Sequence, residues 1–291
     1  MRKVATIGFF DGVHCGHRYL FDHLRSIADE RELSPLIVTF DTHPRAVLQS
    51  DYVPHLLTTL KERKALLCEF GELLVLPFTE VQPLTAAQFM ERLHRQYDVE
   101  VLLMGYDHQF GSDRLKHPRD YRRIGQEYDI EVLTFSEYVD GEWHVSSTEI
   151  RQALENGNIA VANELLGRPY TYSGTVVHGK GIGRTLGFPT ANIAPDSEAK
   201  ILPKPGVYAV SVRAESNNWL PAMMNIGTNP TLGNNSLSIE VYIPGFQGDL
   251  YDRHMDIRFT RFIREEKRFD TLQELKEQIA MDVDSSLRPG V

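Results

Sequence analysis

From Val4 to about Phe135, short apolar runs alternate with stretches whose apolar positions recur at helical spacing. Val4 to Gly8, Leu36 to Phe40, Leu73 to Leu76, Val101 to Met104 and Ile130 to Phe135 are continuous enough to read as buried strands. Between two of them, Thr85 to Tyr97 sets Ala86, Phe89, Met90, Leu93 and Tyr97 on one helical face and Glu91, Arg92 and Arg95 on the other. Buried strands joined by amphipathic crossover helices predict a parallel sheet. The result is a doubly wound α/β domain, in which ligands bind beyond the carboxyl ends of the strands.

Beyond Gly167, Arg168 and Pro169 the texture changes. Strand candidates punctuated by Gly and Pro follow one another: Tyr170 to His178, Gly206 to Arg213, Trp219 to Ile226, Leu237 to Ile243 and Met255 to Phe262. Short strands at that spacing suggest a barrel or a sandwich. A closing helix from Thr271 to about Val283 carries Leu272, Leu275, Ile279 and Val283 on one face, which is expected to pack against the sheet. The chain therefore divides into domains at residues 1–166 and 167–291, without an internal repeat.

Composition adds mainly exclusions. The 291 residues are 42% hydrophobic and 24% charged, a globular balance with no low-complexity tract. No long apolar segment follows Met1, Arg2 and Lys3, so neither export nor membrane insertion is expected. Cys15 and Cys68 are too few for a disulfide framework and fit a reducing compartment, the cytoplasm. A net charge of −9 argues against a broad nucleic-acid surface, so any phosphate ligand needs local support.

That support comes in three places. GFFDGVHCGH, Gly8 to His17, follows the first predicted strand and runs straight into the helical pattern of Tyr19, Leu20, His23, Leu24 and Ile27. His14 and His17, three apart at a helix start, bring two imidazoles to free backbone N–H groups, and Gly12 and Gly16 let backbone approach an anion. A metal site using Cys15, or histidines that only cap the helix, are the alternatives. In VSSTEIR, Ser146 and Glu149 have capping-box spacing, while Ser147, Thr148 and Arg151 could also hold a polyphosphate at the same helix start. GTVVHGKG, Gly174 to Gly181, nearly spells a Walker A loop, but Gly181 stands where Ser or Thr should hold magnesium, and that reading fails. Gly179, Gly181 and Gly183 with Lys180 and Arg184 could still wrap a phosphate tail, or form a plain turn. In LSIEVYI, Glu240 lies on the strand face opposite Leu237, Ile239, Val241 and Ile243, either solvated or functional.

Resemblance narrows these alternatives. FDGVHCGH, FDTHPR at Phe40 to Arg45, GYDHQFG at Gly105 to Gly111 and SSTEIR together resemble the FMN adenylyltransferase domain of bacterial bifunctional riboflavin kinase/FAD synthetases, an HxGH nucleotidyltransferase. HGKGIGRTLGFPTANI, PGVYAV, NIGTNPT, EVYI and IREEKRFDTLQELKEQI resemble its riboflavin kinase domain over nearly its full length. The resemblance implies a Rossmann-like N-terminal domain followed by an antiparallel β-barrel with a closing helix. It implies that riboflavin is phosphorylated to FMN and that FMN is adenylylated to FAD with release of pyrophosphate, using ATP with Mg²⁺. His14 and His17 would stabilise charge at the α-phosphate, and Ser147, Thr148 and Arg151 would bind the phosphates that leave. Asp107 and Phe110 would lie near the flavin. In the second half Thr190 and Asn192 of the PTAN motif would coordinate the ATP-bound magnesium. Glu240 would accept the proton of the ribityl 5′-hydroxyl. Arg264 and Phe269 fall in the distal flavin-side segment. The run after Gly111 reads SDRLKHPRD where family members often carry an Arg-Asn-Arg-Glu-Gly-like run. Riboflavin, FMN and ATP are the expected partners of a monomer or weak homo-oligomer, with neither nucleic acid nor membrane. In one rival reading one half, the N-terminal one, serves as a flavin-sensing or interaction module, against which His14, His17, Ser147, Thr148 and Arg151 speak. In the other the chain is an adenylyltransferase for another phosphorylated cofactor precursor with an unrelated β domain, against which the PTAN segment and Glu240 speak.

Overall fold

A computed structural model describes all residues except 50, 106–107, 136–138, 141–142, 180, 215–217, 228–237 and 289–291. The chain forms two compact units, Met1–Ser147 and Thr148–Val291.

The first unit is built on β1 (Lys3–Ile7), β2 (Ser34–Phe40), β3 (Glu72–Leu76), β4 (Val99–Gly105) and β5 (Glu131–Phe135), all parallel in the order β3-β2-β1-β4-β5. Each of the five predicted strands is present within a few residues of its expected limits. The crossovers carry α1 (Cys15–Arg31), α2 (Pro44–Leu48), α3 (Leu60–Leu67), α4 (Phe78–Val81), α5 (Ala86–Tyr97) and α6 (Pro118–Glu127), and a short ribbon of β6 (Val139–Asp140) and β7 (Trp143–His144) follows. The Rossmann-like expectation holds. α5 shows why: Thr85 caps it through a full capping box with Gln88, a feature that contributes about 1 kcal/mol. Its predicted face then buries Ala86, Phe89, Met90 and Leu93 against the sheet. The strand order reverses between β1 and β4, so the loop leaving β1 sits at the topological switch point.

The second unit contains α7 (Ser147–Glu155, beginning one residue earlier), α8 (Ile159–Leu166) and α9 (Ile182–Leu186). Its strands β8 (Thr171–Val177), β9 (Ala191–Pro195), β10 (Gly206–Arg213), β11 (Leu220–Gly227), β12 (Ser238–Tyr242) and β13 (His254–Arg264) close a barrel in the order β10-β11-β12-β9-β8-β13. Every pairing is antiparallel, including the β13–β10 pair that completes the circle. Of the two architectures that the strand spacing allowed, the barrel is the one formed.

The closing helix, α10 (Leu272–Leu287), packs on the barrel by the face expected, except for its first turn. Leu272 is 58% exposed, and the most buried side chains of α10, Asp282 and Ser286, share the helical face of Leu275 and Ile279. On that face Asp282 receives the Arg264 guanidinium through both Nε (3.0 Å) and Nη2 (2.7 Å), with Gln278 donating to the same carboxylate. Leu275, Ile279 and Val283 are only half-buried beside it.

Candidate active sites

In the first unit the polypeptide leaves β1 through a tight loop and enters α1 at Cys15. His14 is the N-cap of α1, its Nδ1 accepting the His17 N–H at 3.4 Å. The two imidazoles stack with ring centroids 3.6 Å apart, and Phe10 meets His17 edge-on at 5.2 Å. His14 is buried, whereas His17 is half-buried. Capping thus sets a stacked pair of imidazoles over the positive end of a 17-residue helix, at the carboxyl edge of the sheet. Among the described residues no group of three His, Cys, Asp or Glu side chains is placed to hold a metal ion.

Ser147 reaches the same loop, its Oγ donating to the Asp11 carbonyl at 3.0 Å. Thr148, the next residue, is exposed, and Arg151 is half-buried one turn further along α7.

Phe110 is half-buried, its ring 4.8 Å from Tyr121 and 5.6 Å from Phe89. Its backbone is gripped by a residue the sequence reading missed. The Tyr121 hydroxyl accepts the Phe110 N–H (3.0 Å) and lies 2.9 Å from the Phe110 carbonyl, and burial raises its pKa, keeping it protonated as a donor. The divergent SDRLKHPRD run has its own anchors: Asp113 accepts the Ala86 N–H at the start of α5, and Ser112 bonds Leu84 and Pro83. Asp107, expected near the flavin, lies outside the described residues.

In the barrel, β9 and β12 place Asn192 directly opposite Glu240, and the Thr190 hydroxyl donates to Glu240 Oε2 at 3.0 Å. Three of the expected residues are therefore neighbours. The Gly-rich run lies against them. A Cβ on Gly179 would stand 2.0 Å from Asn192 Nδ2, and one on Gly183 would stand 2.3 Å from the Phe188 carbonyl oxygen. Only glycine admits that proximity. The short α9 is bracketed by Gly181 and Gly187, both left-handed, and Arg184 extends from it into solvent. Arg184, Thr190 and Ala191 line a cavity of about 350 Å³ with Val241, Phe246 and Tyr251, and His178 stacks on Tyr251 at 3.8 Å. Lys180 lies outside the described residues.

Arg264 and Phe269 are differently occupied. Besides gripping Asp282, Arg264 donates from Nη1 to the Glu265 carbonyl, so every guanidinium nitrogen is committed within the protein. Phe269 is buried beside it, with the guanidinium carbon 5.8 Å from the ring centre.

A histidine pair at a Rossmann switch point, and an oxygen-rich Thr/Asn/Glu cluster beside a glycine turn in a barrel, define a two-site transferase acting on nucleotide phosphates. Comparison with known proteins names the family. A family model described as FAD synthetase matches residues 1–149, and one described as riboflavin kinase matches residues 166–288. The bifunctional riboflavin kinase/FMN adenylyltransferase of Escherichia coli K12 is 38% identical over 283 residues, covering 96% of this chain and 90% of the relative. Its namesake from Listeria monocytogenes is 35% identical over 288 residues, covering 97% and 90%. Among solved structures, one titled as a macrolide-efflux protein from Streptococcus pneumoniae superimposes with a TM-score of 0.89 at 31% identity, over 99% of this chain and 95% of that one. The chain belongs to the bifunctional riboflavin kinase/FMN adenylyltransferase family, enzymes of flavin cofactor biosynthesis that use ATP.

Proposed function

We propose that adenylyl transfer is carried by the residues around the β1–α1 loop and phosphoryl transfer by those around β9 and β12, with the functional boundary at residues 166/167. The observation that carries the reading of the second site is the Thr190–Glu240 hydrogen bond beside Asn192. The stacked His14–His17 pair supports the first.

In the kinase reaction, Glu240 accepts the proton of the ribityl 5′-hydroxyl while that oxygen attacks the γ-phosphorus of ATP and ADP leaves. The Thr190 hydroxyl orients the carboxylate. Thr190 and Asn192 supply hard oxygen donors of the kind Mg²⁺ prefers, and the lack of a side chain at Gly179 lets the glycine-rich run pass close against the Asn192 amide. When bound, the metal would neutralise phosphate charge. Gly179, Gly181, Lys180 and Arg184 serve the phosphate tail of ATP.

In the adenylyl transfer, a phosphate oxygen of FMN attacks the α-phosphorus of a second ATP, and the bond to the β-phosphate breaks to release pyrophosphate. His14 and His17 hold the charge that develops on the α-phosphate. Ser147, Thr148 and Arg151 bind the leaving phosphates. Phe110 and Asp107 serve the flavin end. Arg264 serves the flavin end of the kinase site, its guanidinium held in place by Asp282 of α10. The protein acts as a monomer or weak homo-oligomer in the cytoplasm. No helix among the described residues is long and apolar enough to cross a membrane.

Chromatography of products separates the two sites. Wild-type protein with ATP and Mg²⁺ is expected to convert riboflavin to FMN and supplied FMN to FAD. Glu240→Gln should lose the first conversion alone, and the double variant His14→Ala, His17→Ala the second alone. Loss of both activities in either variant, with the fold intact, would refute independent sites.

A further inference from the structure

We infer that Thr58, acting with Asp11, is a positioning residue for adenylyl transfer: its hydroxyl holds the turn that presents His14. The inference rests on the roles given to His14 and His17 above. The turn has to be held, because Phe10 and Val13 adopt left-handed backbone (φ 55° and 43°), a region that residues bearing a Cβ disfavour and β-branched ones most of all.

The restraints come from segments remote in sequence. The Asp11 carboxylate accepts the N–H groups of Leu57 (3.0 Å) and Thr58 (3.0 Å) and the Thr58 hydroxyl (3.0 Å). That hydroxyl in turn accepts the Gly12 N–H at 3.0 Å. Thr58 is therefore a relay: it donates to the side chain of one turn residue and accepts from the backbone of the next. Ser147 and Thr39 hold the carbonyls of Asp11 and Phe9. Beneath lies Arg63, 1% exposed, donating to the Phe40 carbonyl at 2.7 Å, with its guanidinium carbon 3.9 Å from the centre of the Phe9 ring. Burial disfavours its charge, and the carboxylates of Asp11 and Asp41 partly offset that effect. Asp11 and Thr58 are themselves 4% and 2% exposed, so water does not substitute for a lost partner. Two residues after Asp11's neighbour Gly12 stands His14. A relaxed turn moves the imidazole without touching its chemistry.

Thr58→Val keeps the volume and removes the hydroxyl, and Thr58→Ser keeps the hydroxyl. For FMN adenylylation, Thr58→Val is expected to lower kcat by about 10- to 100-fold, the effect of a displacement near 1 Å, with the KM values for FMN and ATP little changed. Thr58→Ser should recover most of the rate. FMN formation from riboflavin by the same protein should be unaffected. Full activity in Thr58→Val, equal losses in Val and Ser variants, or a raised KM at unchanged kcat would overturn the inference. Should the Val variant not fold, Thr58→Ala against Thr58→Ser isolates the same hydroxyl, and equal rates would overturn it. The His14→Ala, His17→Ala variant run in parallel separates this failure from failure of the underlying reading: retained adenylylation there would discard the histidine roles themselves.

Discussion

Gly179→Ala is a small substitution with a large expected effect. Gly179 is not in the left-handed region, so alanine imposes no backbone strain of its own. Its new methyl carbon, however, would stand 2.0 Å from Asn192 Nδ2 and 2.4 Å from Cγ, where ordinary contact starts at 3.4 Å. The amide must retreat by about 1.4 Å to restore contact with Gly179 at van der Waals range. Because that amide is the free end of a side chain, it can swing aside and the fold should survive with a melting temperature close to wild type. The oxygen assigned to the metal cannot swing aside without cost. Misplacing a catalytic contact by about 1 Å is worth roughly 10²-fold, or about 2.7 kcal/mol of transition-state stabilisation. Initial rates of FMN formation from riboflavin at saturating ATP should fall by about that factor, while FMN is converted to FAD at the normal rate. A double-mutant cycle sharpens the test: in an Asn192→Ala background there is no amide to displace, so Gly179→Ala should add little. Wild-type kinase rates in Gly179→Ala, or losses that simply add in the double variant, would refute the reasoning.

Two further outcomes concern the barrel. Arg264→Met strands the Asp282 carboxylate, 3% exposed, with Gln278 as its remaining donor, and should lower unfolding stability by on the order of 3 kcal/mol in urea titrations; a variant as stable as wild type would show that the pair does not hold α10. Asp256 is the acid-sensitive element. Burial pushes its carboxyl upward, but hydrogen bonds from Arg213 and Ser173 outweigh it and hold the group below its ordinary 3.8. A folded value below the unfolded one means that the stabilisation is complete above pH 3.8 and fades as pH falls through the depressed value. Stability of the wild type should therefore drop more steeply below about pH 4 than that of Asp256→Asn. Parallel acid profiles would remove Asp256 from the account.

Where burial alone decided the outcome, periodicity was a sufficient guide. The strands of the parallel sheet and the face of α5 are runs of apolar residues with one place to go, and β10 has the limits expected of it, Gly206 to Arg213. Periodicity did not announce a polar group within a packed face: Asp282 lies three residues past Ile279 and seven past Leu275, and the three-dimensional return of Arg264 explains its burial. β9 escaped notice because Ala191–Pro195 is short and overlaps the PTAN motif, which drew a chemical reading rather than a structural one. Of the candidate residues, His14 with His17 were legible as a motif whose contact follows from local helix geometry, whereas the contact of Thr190 with Glu240 depends on the pairing of β9 with β12, fifty residues apart. Tyr121, Thr58 and Arg63 were not, since each acts on backbone outside its own segment and carries no local signature.

The closure of the barrel also sets a timetable. β8 ends at Val177, yet the strand that pairs with it, β13, ends only at Arg264. During synthesis at about 5–20 residues per second, β8 waits on the order of 10 s for that partner, and β10 waits for the same strand to cover its second edge. In the parallel sheet β1 waits over a similar span for β4, but every strand of that sheet is present by Phe135. A nascent chain thus carries a finished first unit beside an unsealed sheet whose open edges are the natural substrate of chaperones, and truncations that remove β13 should be found in aggregates rather than in solution.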